Sequence, residues 1–438
     1  MTLATLPPRP AARFTSVEPL ARLREAVLAA PRAAERLRVA VDCPAVDPLT
    51  WARAIPQRAA LAYFAGRDGD DAVLGAGLAE VVTAGAAARA AAGWRYCGAT
   101  GFDDRPEVAR FAAPLVEIGV TARRGWVAAY LVGPPEPARR RVVALIDRML
   151  ARAADVDGTS LGAPTLIGRV ERPDRAGWER VMRRALAAIA AGEVGKVVLA
   201  RQVELTFADP VDPMRVLARL AAHEPRSFRF AFRRGGSTFV GASPERLFVR
   251  RGREVVSEAV AGTRRRAADP AADRAIGAGL LAADKDRREH AFVVDAVTRS
   301  LACVCDAVST TSPPTLMKLG TLLHLHTRAA GTLRVGHDDA DLLRALHPTP
   351  AMCGWPTPAA RALLREVEPF ARGSYAAPVG WIGRDGAELA VGIRAVELSG
   401  RVALLTAGAG VVRGSDPDAE WGETEAKLAG VLAAVAPS

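Results

Sequence analysis

Lysine is nearly missing from this 438-residue chain: it supplies four of the 59 basic residues, Lys196, Lys285, Lys318 and Lys427, and arginine supplies the others. Arginine keeps its proton in a protein, whereas burial or neighbouring positive charge pushes a lysine ammonium toward neutrality. A lysine retained in such a chain is a candidate base or a compact point charge. Cysteine is scarce too. Cys43, Cys97, Cys303, Cys305 and Cys353 form no CxxC pair, which excludes a disulfide framework and a zinc site and fits a reducing cytoplasm. Aromatic residues make up 5% of the chain, too few for base-stacking platforms. The basic runs at Arg139 to Arg141 and Arg264 to Arg266 are short, so no nucleic-acid partner is expected. No apolar run approaches the roughly 20 residues of a membrane span. The proline-rich stretch Met1 to Pro10 lacks the apolar core of a signal peptide. The expected location is therefore cytoplasmic, with no membrane partner.

Half of the residues are hydrophobic, which makes the chain globular. The net charge of +11 points to an anionic small molecule, or reflects a compositional bias toward arginine and alanine. Residues 1–165 read as short strands and alanine-rich helices, with a strand over 126–132 ended by Gly133-Pro134-Pro135 and a helix over 137–155. From about residue 170 the pattern sharpens. Helices are predicted at 178–191 and 211–223, strands at 196–205, 229–232, 238–240, 247–250 and 255–260, and a turn at 241–246. One long helix is predicted over 273–307. Strands recur near Leu322, Gly380, Val391 and Val402, and a last helix follows the Asp416-Pro417 cap and runs to 434. The class is α+β with large, mostly antiparallel sheets.

Two carboxylate pairs stand out. Asp286 and Glu289 are three apart on the long helix, as are Glu420 and Glu423 on the last one, so each pair lies on one helical face. Converging helices would surround one point with hard oxygen ligands suited to Mg²⁺; the ordinary alternative is surface charge, with Glu423 pairing Lys427 and Asp286 pairing a nearby arginine. Lys196 opens an apolar strand and is a possible general base, or an edge-strand lysine reaching for solvent. Glu245 sits at a turn between strands, a general acid if buried and a solvated turn residue if not. Arg394, in an expected strand, is suited to gripping a carboxylate. Gly408 and Gly410 allow close backbone approach, or mark a bulge. His324 reads as a core histidine, and Lys285 and Lys318 as surface residues.

In order along the chain, GKVVLAR (195–201), GASPERL (241–247), AGT (261–263), DKDRREH (284–290), LHL (323–325), HPTPAMCGWP (347–356), YAAPVGW (375–381), GIR (392–394), GAG (408–410) and EWGETEAK (420–427) resemble the chorismate-utilising enzymes: the isochorismate, salicylate, anthranilate and aminodeoxychorismate synthases. The resemblance is firm over about 170–435. It implies one large α+β domain of two packed antiparallel sheets flanked by helices, with 1–165 as a divergent half of the fold and 166–438 as the chorismate-binding catalytic region. It also implies roles. Lys196 matches the base that activates water, and Glu245 the acid that protonates the departing C4 hydroxyl. Glu289 and Glu423 match Mg²⁺ ligands, with Asp286 and Glu420 outside them. Arg394 and Lys427 match residues near the substrate carboxylates. His324 matches a histidine beside the ring, and Gly262, Thr263, Ala351, Gly408 and Gly410 line the pocket. Amine-using members typically carry glutamine at the Lys196 position and read GAPK where this chain has Gly354-Trp355-Pro356-Thr357. The aminodeoxychorismate type has a lysine where this chain has Ala261. These differences favour water as nucleophile, hence an Mg²⁺-dependent isochorismate synthase, expected to be a monomer, serving menaquinone or siderophore synthesis. A salicylate synthase and a non-catalytic anion-binding scaffold are the alternatives. Ala377 replaces a glycine usual in the family and is expected to narrow the pocket.

Overall fold

The structure, a computed structural model, describes residues 17–31, 34–68, 71–104, 108–122, 124–154, 164–320 and 322–437. Its frame is two sheets in which every described pairing is antiparallel. The first has 12 strands among the described residues. Its middle runs through Leu61–Ala65, Phe228–Arg234, Ser237–Ser243, Ala395–Ser399, Val402–Val411 and Lys196–Phe207. The second has 10 strands among the described residues, with Leu322–Leu333, Glu254–Arg265, Arg246–Arg251, Gly386–Val391, Pro378–Gly383 and Arg95–Ala99 side by side. Strands from the first 165 residues are woven into both sheets: Leu61–Ala65 pairs Phe228–Arg234, and Arg95–Ala99 pairs Pro378–Gly383.

The sheets meet face to face through an apolar layer. Phe64, Phe228, Phe230 and Phe239 of the first sheet are buried against Cys97, Val379 and Ala390 of the second. The outer face of the first sheet is covered by the helices Glu18–Ala29, Pro135–Ala154, Pro213–His223 and Pro417–Val435. The second is covered by helices that include Asp284–Ala302 and Asp339–Leu346. This follows from strands whose side chains alternate between faces, each face then needing cover. No helix among the described residues is long and apolar enough to cross a membrane.

Three expectations from the sequence need correction. The long helix over 273–307 is two helices, Pro270–Ala282 and Asp284–Ala302, followed by the strand Cys305–Thr310. Ala283 is extended (φ −71°, ψ 111°) and acts as the N-cap of the second helix. Asp284 and Asp286 then fall in that helix's first turn, where they complement its dipole. Beyond it, Cys305 pairs with Leu333 at a sheet edge, so sheet pairing overrides the helical spacing. The turn over 241–246 is shorter than expected, because Ser237–Ser243 continues as strand with Gly241 opposite Phe230 and Ala395. A Cβ on Gly241 would lie 2.3 Å from the Phe230 ring, so the glycine serves sheet packing. Arg394 is not in a strand; it sits in a bend before Ala395–Ser399 with φ of +53°.

The last helix is anchored by one buried arginine. Arg201, fully buried, donates to Thr424 Oγ1 at 2.6 Å and to Glu171 Oε2 at 2.9 Å, pairs with Glu425, and lies 3.9 Å over the Trp421 ring. It thereby couples Lys196–Phe207 to Pro417–Val435. Replacing Arg201 by alanine is expected to lower unfolding free energy by about 3–5 kcal/mol, the usual effect of removing one partner of a buried ionic network. A denaturant titration checks it; a change under about 1 kcal/mol would show that the network does not hold the helix.

Candidate active site

At the end of the sandwich a cavity of about 270 Å³ opens, and all the site residues picked from the sequence line it: Lys196, Glu245, Gly262, Thr263, Asp286, Glu289, His324, Ala351, Arg394, Gly408, Gly410, Glu420, Glu423 and Lys427. They come from both sheets, two helices and the turns beside them, so no local stretch could build it.

Lys196 begins its strand and faces Trp355 across a short pairing. Two strand residues further on, Arg372 donates to the Val198 carbonyl at 2.6 Å, and Glu368, its ion-pair partner, accepts from Ala200 N at 2.9 Å. The lysine therefore projects from a pinned backbone. Gly410, opposite Val198, leaves it room: a Cβ there would stand 3.1 Å from Lys196 Cε. A Cβ on Gly408 would meet the Leu199 carbonyl at 3.0 Å and the Tyr375 hydroxyl at 3.1 Å. The register is unbroken through both glycines, so close approach, not a bulge, is what they provide. Burial pushes the Lys196 ammonium below its ordinary value. Glu289 opposes that shift, the Lys427 charge adds to it, and Glu423 and Glu420 oppose it.

Glu245 is 6% exposed, so it is no solvated turn residue. Its N–H donates to Ser243 Oγ at 3.2 Å and its carbonyl accepts from Val391 N at 3.0 Å. Burial raises its carboxyl to about 7, the Glu258 charge adds to this, and Lys427 and Lys196 work against it. The lysine and the carboxyl are thus both displaced toward neutrality, in opposite directions.

Gly262 forms a bulge in Glu254–Arg265 with φ of +72°, a left-handed conformation that glycine adopts without strain. His324 is 7% exposed at the cavity wall, so it is buried as a core histidine would be. Its Nδ1 lies 3.2 Å from the Gly262 carbonyl and 3.1 Å from Thr263 Oγ1. Burial, then Arg394 and Lys427, lower it to about 4. It is neutral at pH 7, and an Nδ1–H given to the carbonyl leaves Nε2 as an acceptor.

The two carboxylate-bearing helices converge here. Glu423 accepts from Lys427 Nζ at 2.6 Å, and Lys427 also donates to the Gly408 carbonyl at 2.8 Å. Burial pushes Glu423 up, but the charge and hydrogen bond of Lys427, with Lys196 and His324, bring it below the ordinary carboxylate value. Glu420 is raised by burial and by Glu423, against a Ser415 hydrogen bond. Asp286 pairs with Arg264 at 2.5 Å. Both ordinary pairings foreseen in the sequence therefore exist, inside the cavity. Arg394 donates to the Lys427 carbonyl at 3.0 Å; it touches the last helix's backbone and, among the described residues, makes no salt bridge to a carboxylate.

These oxygens suit a hard cation in kind. No three acidic, histidine or cysteine side chains among the described residues stand close enough to enclose an ion by themselves. Mg²⁺ takes one or two carboxylates and completes its shell with water and substrate oxygens, so Glu289 and Glu423 are the residues that could hold one.

Sequence reasoning missed several lining residues, including Lys285, Arg264, Met352, Ile393 and Ser415. Lys285, read as surface, is exposed yet stands at the cavity rim, where its charge acts on Glu420. Its place one turn before Glu289 was the available signal. Lys318 is exposed on Thr315–Lys318, away from the cavity. Ala377 is fully buried and is not among the lining residues, so it does not narrow the pocket; Tyr375, two residues before it, lines it instead.

A family model described as chorismate binding enzyme matches residues 78–436. The chain is 40% identical over 271 residues to the isochorismate synthase MenF of Bacillus subtilis, covering 62% of this chain and 58% of that protein. It is 39% identical over 272 residues to the isochorismate synthase DhbC of the same organism, covering 60% and 68%. Among solved structures, the menaquinone-specific isochorismate synthase MenF of Escherichia coli superposes with a TM-score of 0.88 at 29% identity, over 95% of this chain and 99% of that one. Anthranilate synthase component I of Streptococcus pneumoniae superposes with a TM-score of 0.63 at 17% identity, over 92% and 93%, a likeness of fold. With its model spanning most of the sequence, the chorismate-binding enzymes are the family to which this chain belongs.

Proposed function

We propose that this protein is an Mg²⁺-dependent isochorismate synthase, converting chorismate to isochorismate in the cytoplasm. The observation that carries this reading is the pairing of a lysine held below its ordinary pKa with a carboxyl raised to about 7 in one cavity. Lys196 takes a proton from water, and the oxygen bonds to C2 of the ring. The double bonds shift, the C4–O bond breaks, and Glu245 gives its proton to the departing hydroxyl. One water enters and one leaves, so the reaction is an isomerisation. Arg394 and Lys427 supply positive charge for the substrate's carboxylates, and neutral His324 accepts a hydrogen bond beside the ring. Glu289 and Glu423 would hold Mg²⁺, with Asp286 and Glu420 outside them. The ion would contribute charge neutralisation for a dianionic substrate. The similarity to the isochorismate synthases MenF and DhbC supports the same reaction here. Five cysteines with no disulfide support the location.

Chromatography of products from purified protein, chorismate and Mg²⁺ tests the reading. Isochorismate is expected, and its formation should stop on chelation with EDTA and return with added Mg²⁺. Salicylate with pyruvate would reassign the protein to the lyase-coupled reaction, and binding without turnover would leave an anion-binding scaffold.

A further inference from the structure

Behind Glu245, outside the cavity lining, lies a buried ionic cluster that the reaction above does not use. Glu258 is 6% exposed on Glu254–Arg265. Arg67, in the turn after Leu61–Ala65, grips it with two nitrogens at 2.8 and 2.6 Å. The same Arg67 Nη1 donates to the Pro244 carbonyl at 2.9 Å. Arg246, on the other side of Glu245 in sequence, donates to Glu258 at 2.8 Å and to Glu388 at 3.0 Å. Both guanidiniums lie over the Phe228 ring, at 5.4 and 5.2 Å. The residues on either side of Glu245 are thus both tied to Glu258, Arg246 directly and Pro244 through Arg67.

We propose that Arg67 and Glu258 are positioning residues for Glu245: they clamp the Pro244–Arg246 turn and fix the direction in which its acid enters the cavity. This rests on the reading of Glu245 as the acid. Planar two-pronged contacts restrict orientation as well as distance, and a displacement of about 1 Å costs an enzyme up to about 10²-fold in rate. The clamp also sets the charge around the acid. Glu258 faces it with a negative charge, Lys196 and Lys427 with positive ones, and the Tyr375 hydroxyl lies within electrostatic reach. Glu258 itself remains charged. Burial raises it, but the His326 ring, with Nε2 3.5 Å away, and the charge and bonds of Arg67, then the charge of Arg246, bring it to about 2. A permanently ionised neighbour helps keep the Glu245 proton in place.

The test uses the full-length variants R67M, R67K and E258Q, with thermal melts to confirm folding. R67M and E258Q are expected to lose about 10- to 100-fold in kcat with KM for chorismate within about threefold, and R67K, which keeps a donor for Pro244, to retain more kcat than R67M. A second readout needs no turnover: infrared titration of the protonated Glu245 carboxyl, identified as the band missing from E245Q. Its midpoint should fall toward the ordinary carboxylate range in E258Q, because a negative neighbour is gone. Folded variants with wild-type kcat, a loss confined to KM, or an unmoved midpoint in E258Q would overturn the proposal. If E258Q does not fold, the R67M and R67K comparison decides. If the wild type does not convert chorismate, the functional reading fails, while the midpoint still decides whether Glu258 governs Glu245.

Discussion

E245Q is expected to lose about 10²- to 10⁴-fold in kcat with chorismate, the usual contribution of one positioned proton donor, and to be more stable than the wild type at pH 8. The two effects share one origin. Burial and Glu258 lift the Glu245 carboxyl from 4.5 to about 7. In that window the folded protein binds a proton that the unfolded chain does not. Stability therefore falls as pH rises from about 4.5 through 7, and the full penalty applies above it. Glutamine, isosteric and neutral, escapes that penalty, a difference on the order of 3 kcal/mol at pH 8 that vanishes near pH 4. Melting curves of both proteins at the two pH values check the sign. A wild type that melts above E245Q at pH 8 would mean that the carboxylate is stabilised in the fold, which contradicts its role as a proton donor. In the pH profile of kcat/KM for free enzyme, a break near 7 is expected, absent in E245Q.

K196M carries the other large effect. Replacing the base with an apolar side chain of similar length is expected to reduce isochorismate formation by about 10²- to 10⁴-fold, with melting temperature at neutral pH equal to or above that of the wild type. The sign again follows from linkage. The folded state holds the Lys196 proton less tightly than the unfolded chain does, so the charged ammonium destabilises the fold below its ordinary pKa and methionine relieves this. Near-wild-type turnover would remove Lys196 from the reaction. A collapse of the melting temperature would make the lysine a structural residue. Steady-state kinetics alongside calorimetry separates these outcomes.

Much of the site could be read from sequence because its parts lie in short, chemically distinctive stretches. Each residue picked from those stretches lines the cavity. What could not be read is geometry that depends on distant strands. Ala283 itself does not mark the break between two helices, since alanine is a good helix former and no side chain caps the second helix; the acidic first turn of Asp284 and Asp286 is the one local sign of a new start. Arg394 follows an apolar run that reads as strand, yet its left-handed bend aims the side chain at the last helix. Arg67 was invisible for another reason. It sits 177 residues before the Pro244 carbonyl it holds, in the half of the chain where motifs are weakest. Only the weaving of early strands into both sheets brings it there.

The scarcity of lysine, joined to where the structure puts it, makes the protein unusually easy to interrogate by spectroscopy. Lys196, Lys285 and Lys427 line the cavity and Lys318 stands apart on an exposed strand. Carbon-13 methylation of the amines would give four side-chain signals besides any terminal amine. Three of these would report on the pocket and the fourth would be a built-in solvent reference. The protonation of a single base could then be followed through a titration in a 46.1 kDa protein without isotopic enrichment of the chain itself.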